Sequence, residues 1–416
     1  MNANHLSAAS AVGLLLITLP ASPSLAQCRQ FGGAKQDFKV ECRKLAYDWP
    51  DGGPPILWSR DLGEGYTAVL ADNDMLYATY RKAGRDHLAA LKAKNGETTW
   101  DFEFDAPAHP KHVIEFNAGP RATPTLDDGR LYFINCGAVF HCVDASSGKV
   151  IWRHDLWTEF KDATFLNHGY SASPFVYKDT VIAVVGGRGH SVVAFDAKSG
   201  DIRWQKHDFD ASYATPKLID LDGRPQLLCF MAKELIAIDP ANGNLLWEFK
   251  HGNGYGQNIS MPVWGDDHIL FISSIEQGGT RALKLTLKGD KTEVEELWHN
   301  RRVRIHHQNA IRIGNHVYAS TGDPNIWQAI DIRTGEVCWR ERGFAKSNAI
   351  YADGQFIVID EEGYLGLATA CPEFFEIREK VPLLGSHAWT VPTLAGTTLY
   401  VRDNEKLVAV DLSAKS

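Results

Sequence analysis

The feature that most constrains this chain is a hairpin that recurs along it. AIDPANGNLLW (237–247) is repeated as CVDASSGKVIW (142–152), AFDAKSGDIRW (194–204) and AIDIRTGEVCW (329–339), with a looser copy, ALKAKNGETTW, at 90–100. The pattern is small-x-Asp-x-x-x-Gly-x-x-x-Trp. Apolar residues leading to Asp read as a strand. Asp opens a turn, Gly supplies the positive φ that the turn needs, and a second strand runs on to Trp. Each Trp offers roughly 150–250 Å² for burial. One hairpin cannot cover that surface alone, so the copies must pack on one another.

A second hairpin precedes each of these. Eight such openings occur, beginning at Thr67, Ala122, Ala172, Ala214, Ser260, Asn309, Asn348 and Thr390. The closing hairpins decay along the chain. ALKLTLKGDKTEVEELW has lost the Asp and ends at Trp298, GLATACPEFFEI has lost its Trp, and LVAVDLS (407–413) stops after one strand. The outer strand missing from that last unit stands at the other end as ILWSRDL (56–62). Two ends that complete one unit close a ring. Four-stranded units around an axis form an all-β propeller with only short, protected edges, and eight openings predict eight blades over 55–413. Residues 27–54 read as an irregular segment ahead of the ring, bounded by the breaker cluster DGGPP (51–55).

The ends and the cysteines add a setting. Ala8 to Leu19 is a short apolar run followed by Ser24-Leu25-Ala26, so residues 1–26 read as a secretory signal and the chain as periplasmic or extracellular. No other stretch is apolar for long enough to span a bilayer. Leu25-Ala26-Gln27-Cys28 loosely matches a lipoprotein processing site. Gln27 fits poorly beside the cleaved bond, so lipid anchoring at Cys28 is not expected. There are seven cysteines. Cys28 and Cys42 could staple the N-terminal segment, Cys136 and Cys142 could meet across a hairpin turn, and Cys229 and Cys338 read as small buried hydrophobes. The formal net charge of -8 argues against a nucleic-acid partner. A monomer is expected.

With the repeat laid out, it resembles that of the pyrroloquinoline quinone (PQQ) propellers, which comprise the quinoprotein alcohol dehydrogenases and non-enzymatic relatives. The resemblance covers about 55–413. It implies that Trp100, Trp152, Trp204, Trp247, Trp298 and Trp339 wedge between neighbouring blades. Adjacent cysteines, which the dehydrogenases place on the cofactor, do not occur here, nor does the haem attachment pattern C-x-x-C-H. The dehydrogenases are also longer, and the size here is similar to the periplasmic propeller lipoprotein of outer-membrane protein assembly.

In a propeller the segment feeding each innermost strand lies at the mouth of the central channel. These feeders are polar and aromatic: Asn117 and Arg121 before the second blade; Asn167, His168 and Tyr170 before the third; Tyr213 before the fourth. Tyr255, Gln257 and Asn258 precede the fifth, Arg304, His306, His307 and Gln308 the sixth, Lys346 and Ser347 the seventh, His387 and Trp389 the eighth. They are expected to converge on one face, where a concave set of polar groups is a binding site. Arg121, Arg304 and Lys346 make that mouth positive, which suits a small anionic ligand. No metal site is expected, because His306 and His307, being adjacent, point to opposite sides of an extended strand. Asp220-Leu221-Asp222-Gly223 lacks the later acidic ligands of a calcium loop and reads as a turn. No nucleophile elbow, metalloprotease motif or phosphate loop is present, and no general base can be picked out. The reading is a non-catalytic binding or scaffold module that takes a protein partner or an anionic ligand at the channel face, with no cofactor expected. The alternative is a PQQ-dependent dehydrogenase, which would need PQQ with calcium.

Overall fold

Hairpins joined by tight turns dominate the computed structural model, which describes residues 28–414 apart from 107, 108, 116, 323 and 386. The proposed signal segment lies outside the described residues. Eight antiparallel sheets follow one another along the chain, each with four blade strands, here A (innermost) to D. Blade 1 illustrates the order: A is Leu70–Asp72, B Met75–Lys82, C Arg85–Lys92 and D Thr98–Phe104. The single helix among the described residues is one turn, Leu156–Glu159, capped by the Asp155 carboxylate.

Ring closure follows the expected plan. Ile56–Asp61 is strand D of blade 8 and pairs antiparallel with Lys406–Asp411 from the C-terminal end. The seam beside it is held by Arg402, which is 1% exposed. Its guanidinium donates to the carbonyls of Thr79 (2.6 Å) and Gly63 (2.8 Å), so a buried cation of blade 8 is solvated by the backbone of blade 1.

The Trp residues dock as the resemblance implies, and the geometry gives the reason for the fixed spacing. Five of the rings lie over the turn glycine of the next blade. A Cβ on Gly96, Gly148, Gly200, Gly243 or Gly335 would fall 2.5–2.8 Å from Trp58, Trp100, Trp152, Trp204 or Trp298 respectively. In four of the five the indole N–H reaches the carbonyl three residues before that glycine: Trp58 to Ala93 (2.9 Å), Trp100 to Ala145 (3.0 Å), Trp152 to Ala197 (3.3 Å) and Trp298 to Ile332 (2.8 Å). Trp58 is thus a seventh docking residue, sitting on the closing strand. In every blade the C–D register slips one residue before the Trp position. This bulge turns the ring out of its own sheet. In blade 5 the C–D hairpin is longer and its turn glycine, Gly289, meets no ring, so Trp247 donates instead to Gln226 Oε1 (2.7 Å). Gln226 is itself bonded to Thr292 on the long hairpin of blade 5.

Three expectations are corrected. No disulfide forms: all seven cysteines are free. Cys142 lies opposite Tyr132 in the B–C ladder, and Cys136 falls in the turn, with its thiol on the Gly119 carbonyl (3.2 Å). Cys28 bridges to Ala71 of blade 1, while the Cys42 thiol meets the Gly396 carbonyl of blade 8 (3.0 Å), so neither faces the other. Cys338, expected to be buried, is exposed. The segment 27–54 is also not merely ahead of the ring. Residues 28–40 run inside the channel, where Lys39–Val40 adds a parallel fifth strand to strand A of blade 7 (Ser347–Ala352), and the chain then passes outward, with the Trp49 N–H on Glu379 of that blade's outer strand (3.3 Å).

Candidate functional site

Part of the feeder set comes together at one end of the channel. Arg121 (blade 2) lies over the ring of Tyr66 (blade 1) at 5.6 Å, and Tyr66 packs on Trp389 (blade 8) at 5.2 Å. Trp389 meets His307 (blade 6) at 5.3 Å and His387 at 5.5 Å, and His307 meets His306 at 5.2 Å. The Trp389 indole donates to Glu361 Oε2 (3.0 Å), and Lys346 (blade 7) lies 3.7 Å from the same oxygen. On the far side His168 (blade 3) stands 6.0 Å from Tyr213 (blade 4), whose hydroxyl donates to Asn167 Oδ1 (2.5 Å). Asn117 joins the ring through its amide, which donates to Asn404 Oδ1 (2.8 Å), and through its carbonyl, which accepts from Arg121 (3.2 Å).

Electrostatics tie the two sides across the axis. Burial and the charge of Arg121 push His168 below its ordinary value. Burial, then His168 and Lys346, push His306 down to about 4. Burial, then His306 and Lys346, take His307 to about 3. The histidines are therefore neutral at pH 7, held so by desolvation and by neighbouring positive charge. The buried Nε2 of His306 has no hydrogen-bond partner among the described residues. An anion here would face the Arg121 guanidinium, which is bonded to the carbonyls of Asn117 and Gly119 and, among the described residues, to no carboxylate.

A side pocket opens beside Arg121, lined by Asp86, His112, Cys136 and His168. Asp86 is 1% exposed and its carboxylate accepts from Arg81 (2.8 Å). Burial outweighs that partner and raises its pKa to about 6. The cavity measures about 10 Å³, room for one water.

Several feeder residues play other parts. Tyr170 is in the core, with its hydroxyl on the carbonyls of Val185 (2.8 Å) and Thr164 (3.0 Å). Asn258 is fully buried and ties down the carbonyls of Met231 (2.7 Å) and His251 (3.2 Å). Gln308 is buried behind the histidines, accepting the His306 N–H at 3.3 Å. Tyr255 is 68% exposed on a loop where the backbone N–H of Gln257 bonds Asn253 (3.2 Å). Arg304 is exposed and turns to the Arg301 carbonyl (3.1 Å), so it does not add to the positive mouth. Tyr66, Glu361 and Asn404 were not singled out from the sequence. Tyr66 immediately precedes the first opening hairpin, as Arg121, Tyr213, Gln308 and Trp389 precede theirs, and that signal could have found it.

A fit test for PQQ and calcium gives a poor match. PQQ is a flat tricyclic tricarboxylate, while the cavity beside Arg121 has room for about one water and the Trp389 ring is flanked by the tilted rings of Tyr66 and His307. Among the described residues no three of His, Cys, Asp and Glu are grouped so as to hold a metal ion. No helix among the described residues is long and apolar enough to cross a membrane.

Comparison with known proteins agrees with this architecture. The family model described as outer membrane protein assembly factor BamB matches residues 84–341. The solved structure of BamB from Moraxella catarrhalis superposes with a TM-score of 0.60 at 17% identity, covering 86% of this chain and 99% of that one. Quinohemoprotein alcohol dehydrogenase from Comamonas testosteroni gives 0.66 at 12% identity, covering 94% and 81%. In sequence, quinohemoprotein alcohol dehydrogenase ADH-IIG from Pseudomonas putida is 25% identical over 191 residues, which is 40% of this chain and 25% of that protein. The match thus spans about a quarter of that relative's length.

Proposed function

The chain belongs to the family described as outer membrane protein assembly factor BamB, and from that premise we propose that it is a non-catalytic binding or scaffold module, exported to the periplasm or cell exterior. It works through the mouth of its channel. The observation that carries this is the convergence of Arg121, His168, His306 and Lys346 from four blades on one axis, rimmed by Tyr66 and Trp389. Positive and neutral nitrogen groups gathered there favour an anionic group, either a small ligand or an acidic side chain of a partner protein.

A second reading, a PQQ-dependent dehydrogenase, is favoured by the sequence match to a quinohemoprotein alcohol dehydrogenase. The single-water cavity counts against it. Titration calorimetry with PQQ, with and without calcium, separates the two when followed by dye-linked oxidation of a short alcohol. No binding at high micromolar PQQ supports the scaffold. Micromolar binding with substrate-dependent dye reduction overturns it in favour of an enzyme.

A further inference from the structure

The channel has a second end, where each strand A turns into strand B, and the N-terminal segment crosses it. Cys28 bridges Ala71 of blade 1 and the Arg29 carbonyl accepts from Leu126 N of blade 2 (2.8 Å). The Gln36 side chain donates to the Pro216 carbonyl of blade 4 (2.9 Å), and Lys217 donates back to the Gln36 carbonyl (2.7 Å). Lys39–Val40 then pairs with blade 7. This strap fills the side of the channel next to blades 1, 2 and 4. On the other side it leaves a cavity of about 1070 Å³, walled by the strap and by residues such as Trp264, Arg312, Asn315 and Tyr351.

Strand A of blade 6, Ala310–Ile313, borders that cavity through Arg312 and the following Gly314. As an innermost strand it pairs with strand B on one side only, so half its N–H and C=O groups face the channel. Among the described residues no backbone hydrogen bond joins that edge to another segment, whereas the strap bonds the equivalent edges of blades 1, 2 and 7. Charges of both signs line the wall, and several pair with one another: Arg312 with Asp267 (2.7 Å), Lys39 with Asp37 (3.8 Å), Lys35 with Glu41 (3.5 Å), beside Asp266 and Arg333. Such a wall selects weakly for charge, while an open strand edge selects for another strand.

We propose that this cavity receives an extended peptide segment of a partner protein, which adds as a strand to the inner edge of blade 6, alongside the strap on blade 7. The site lies at the opposite end of the channel from the mouth and does not depend on what binds there. The molecule itself supplies the precedent, because Lys39–Val40 occupies the neighbouring edge in the same manner.

The test is hydrogen exchange on the intact protein with a capped probe peptide of the strap's own sequence, Gln-Asp-Phe-Lys-Val-Glu (36–41). At peptide tenfold above its Kd, inner-edge amides of Ala310–Ile313 should exchange about tenfold more slowly. Amides at 117–121 and 346–347 should be unchanged, and the same peptide N-methylated at alternate residues should protect nothing. Unchanged exchange at 310–313 at the highest soluble peptide concentration overturns the proposal. So does equal protection by the N-methylated peptide, or a change confined to 351–352, which would mean that the probe merely displaces the strap.

Discussion

The docking of Trp100 on the turn glycine of blade 2 makes a sharp prediction, because that blade contains its own control. Gly129 and Gly148 have nearly the same backbone, φ +71° and +72°. A Cβ at Gly129 would meet nothing within 4 Å, whereas one at Gly148 would lie 2.6 Å from Trp100 Cε3. Alanine at either site costs about 1–2 kcal/mol for a left-handed L-residue. At Gly148 the indole must also retreat. It then loses its bond to the Ala145 carbonyl, about 1 kcal/mol, and on the order of 50 Å² of ring contact, a further ~1 kcal/mol. Gly148→Ala should therefore destabilise by about 3–4 kcal/mol and Gly129→Ala by about 1–2 kcal/mol, read as shifts of the urea midpoint at constant slope. In a Trp100→Ala background the Gly148→Ala penalty should shrink to that of Gly129→Ala, a coupling of about 2 kcal/mol. Equal losses for the two glycines, or no coupling, would refute the docking argument.

Further expectations concern the mouth, the strap and the thiols. The folded pKa values of His306 and His307, about 4 and 3, lie below the ordinary 6.5. The unfolded chain therefore binds more protons in between, and stability falls as pH drops from about 6.5 toward about 4. The double variant His306→Asn/His307→Gln should lose less stability between pH 7 and pH 5 than the parent, and an unchanged slope of urea midpoint against pH would contradict the assignment. Lys217→Met removes the ammonium from the strap's carbonyls. Trypsin should then cut after Lys35 or Lys39 at least several-fold faster, and parental resistance would show that the clamp is dispensable. Iodoacetamide without reductant should label all seven cysteines in denaturant. In the native protein it should label exposed Cys338 first and buried Cys142 and Cys229 last. A disulfide-linked peptide joining Cys28 and Cys42, detected by mass spectrometry, would overturn the free-thiol arrangement.

How much of this was legible beforehand differs from residue to residue. The hairpins, their number and the split eighth blade could be read directly, because strand pairing between neighbours in sequence is local and the Asp, Gly and Trp of each turn have fixed offsets. The bulge before each Trp left no compositional mark, since the slip is a matter of ladder register and not of residue type. Tyr170 and Asn258 share feeder positions with His168 and Gln257, yet the loop paths bury the first pair.

The sequence by itself determined an eight-bladed ring closed by its own ends, and the face to which its polar feeders would be carried. Only the tertiary structure decided which feeders touch, and that the N-terminal segment threads the channel. His168 meets the field of His306 across the axis, and Gln36 holds blade 4 from 180 residues away. Contacts of that kind depend on the radius and closure of the whole ring, which no local periodicity encodes.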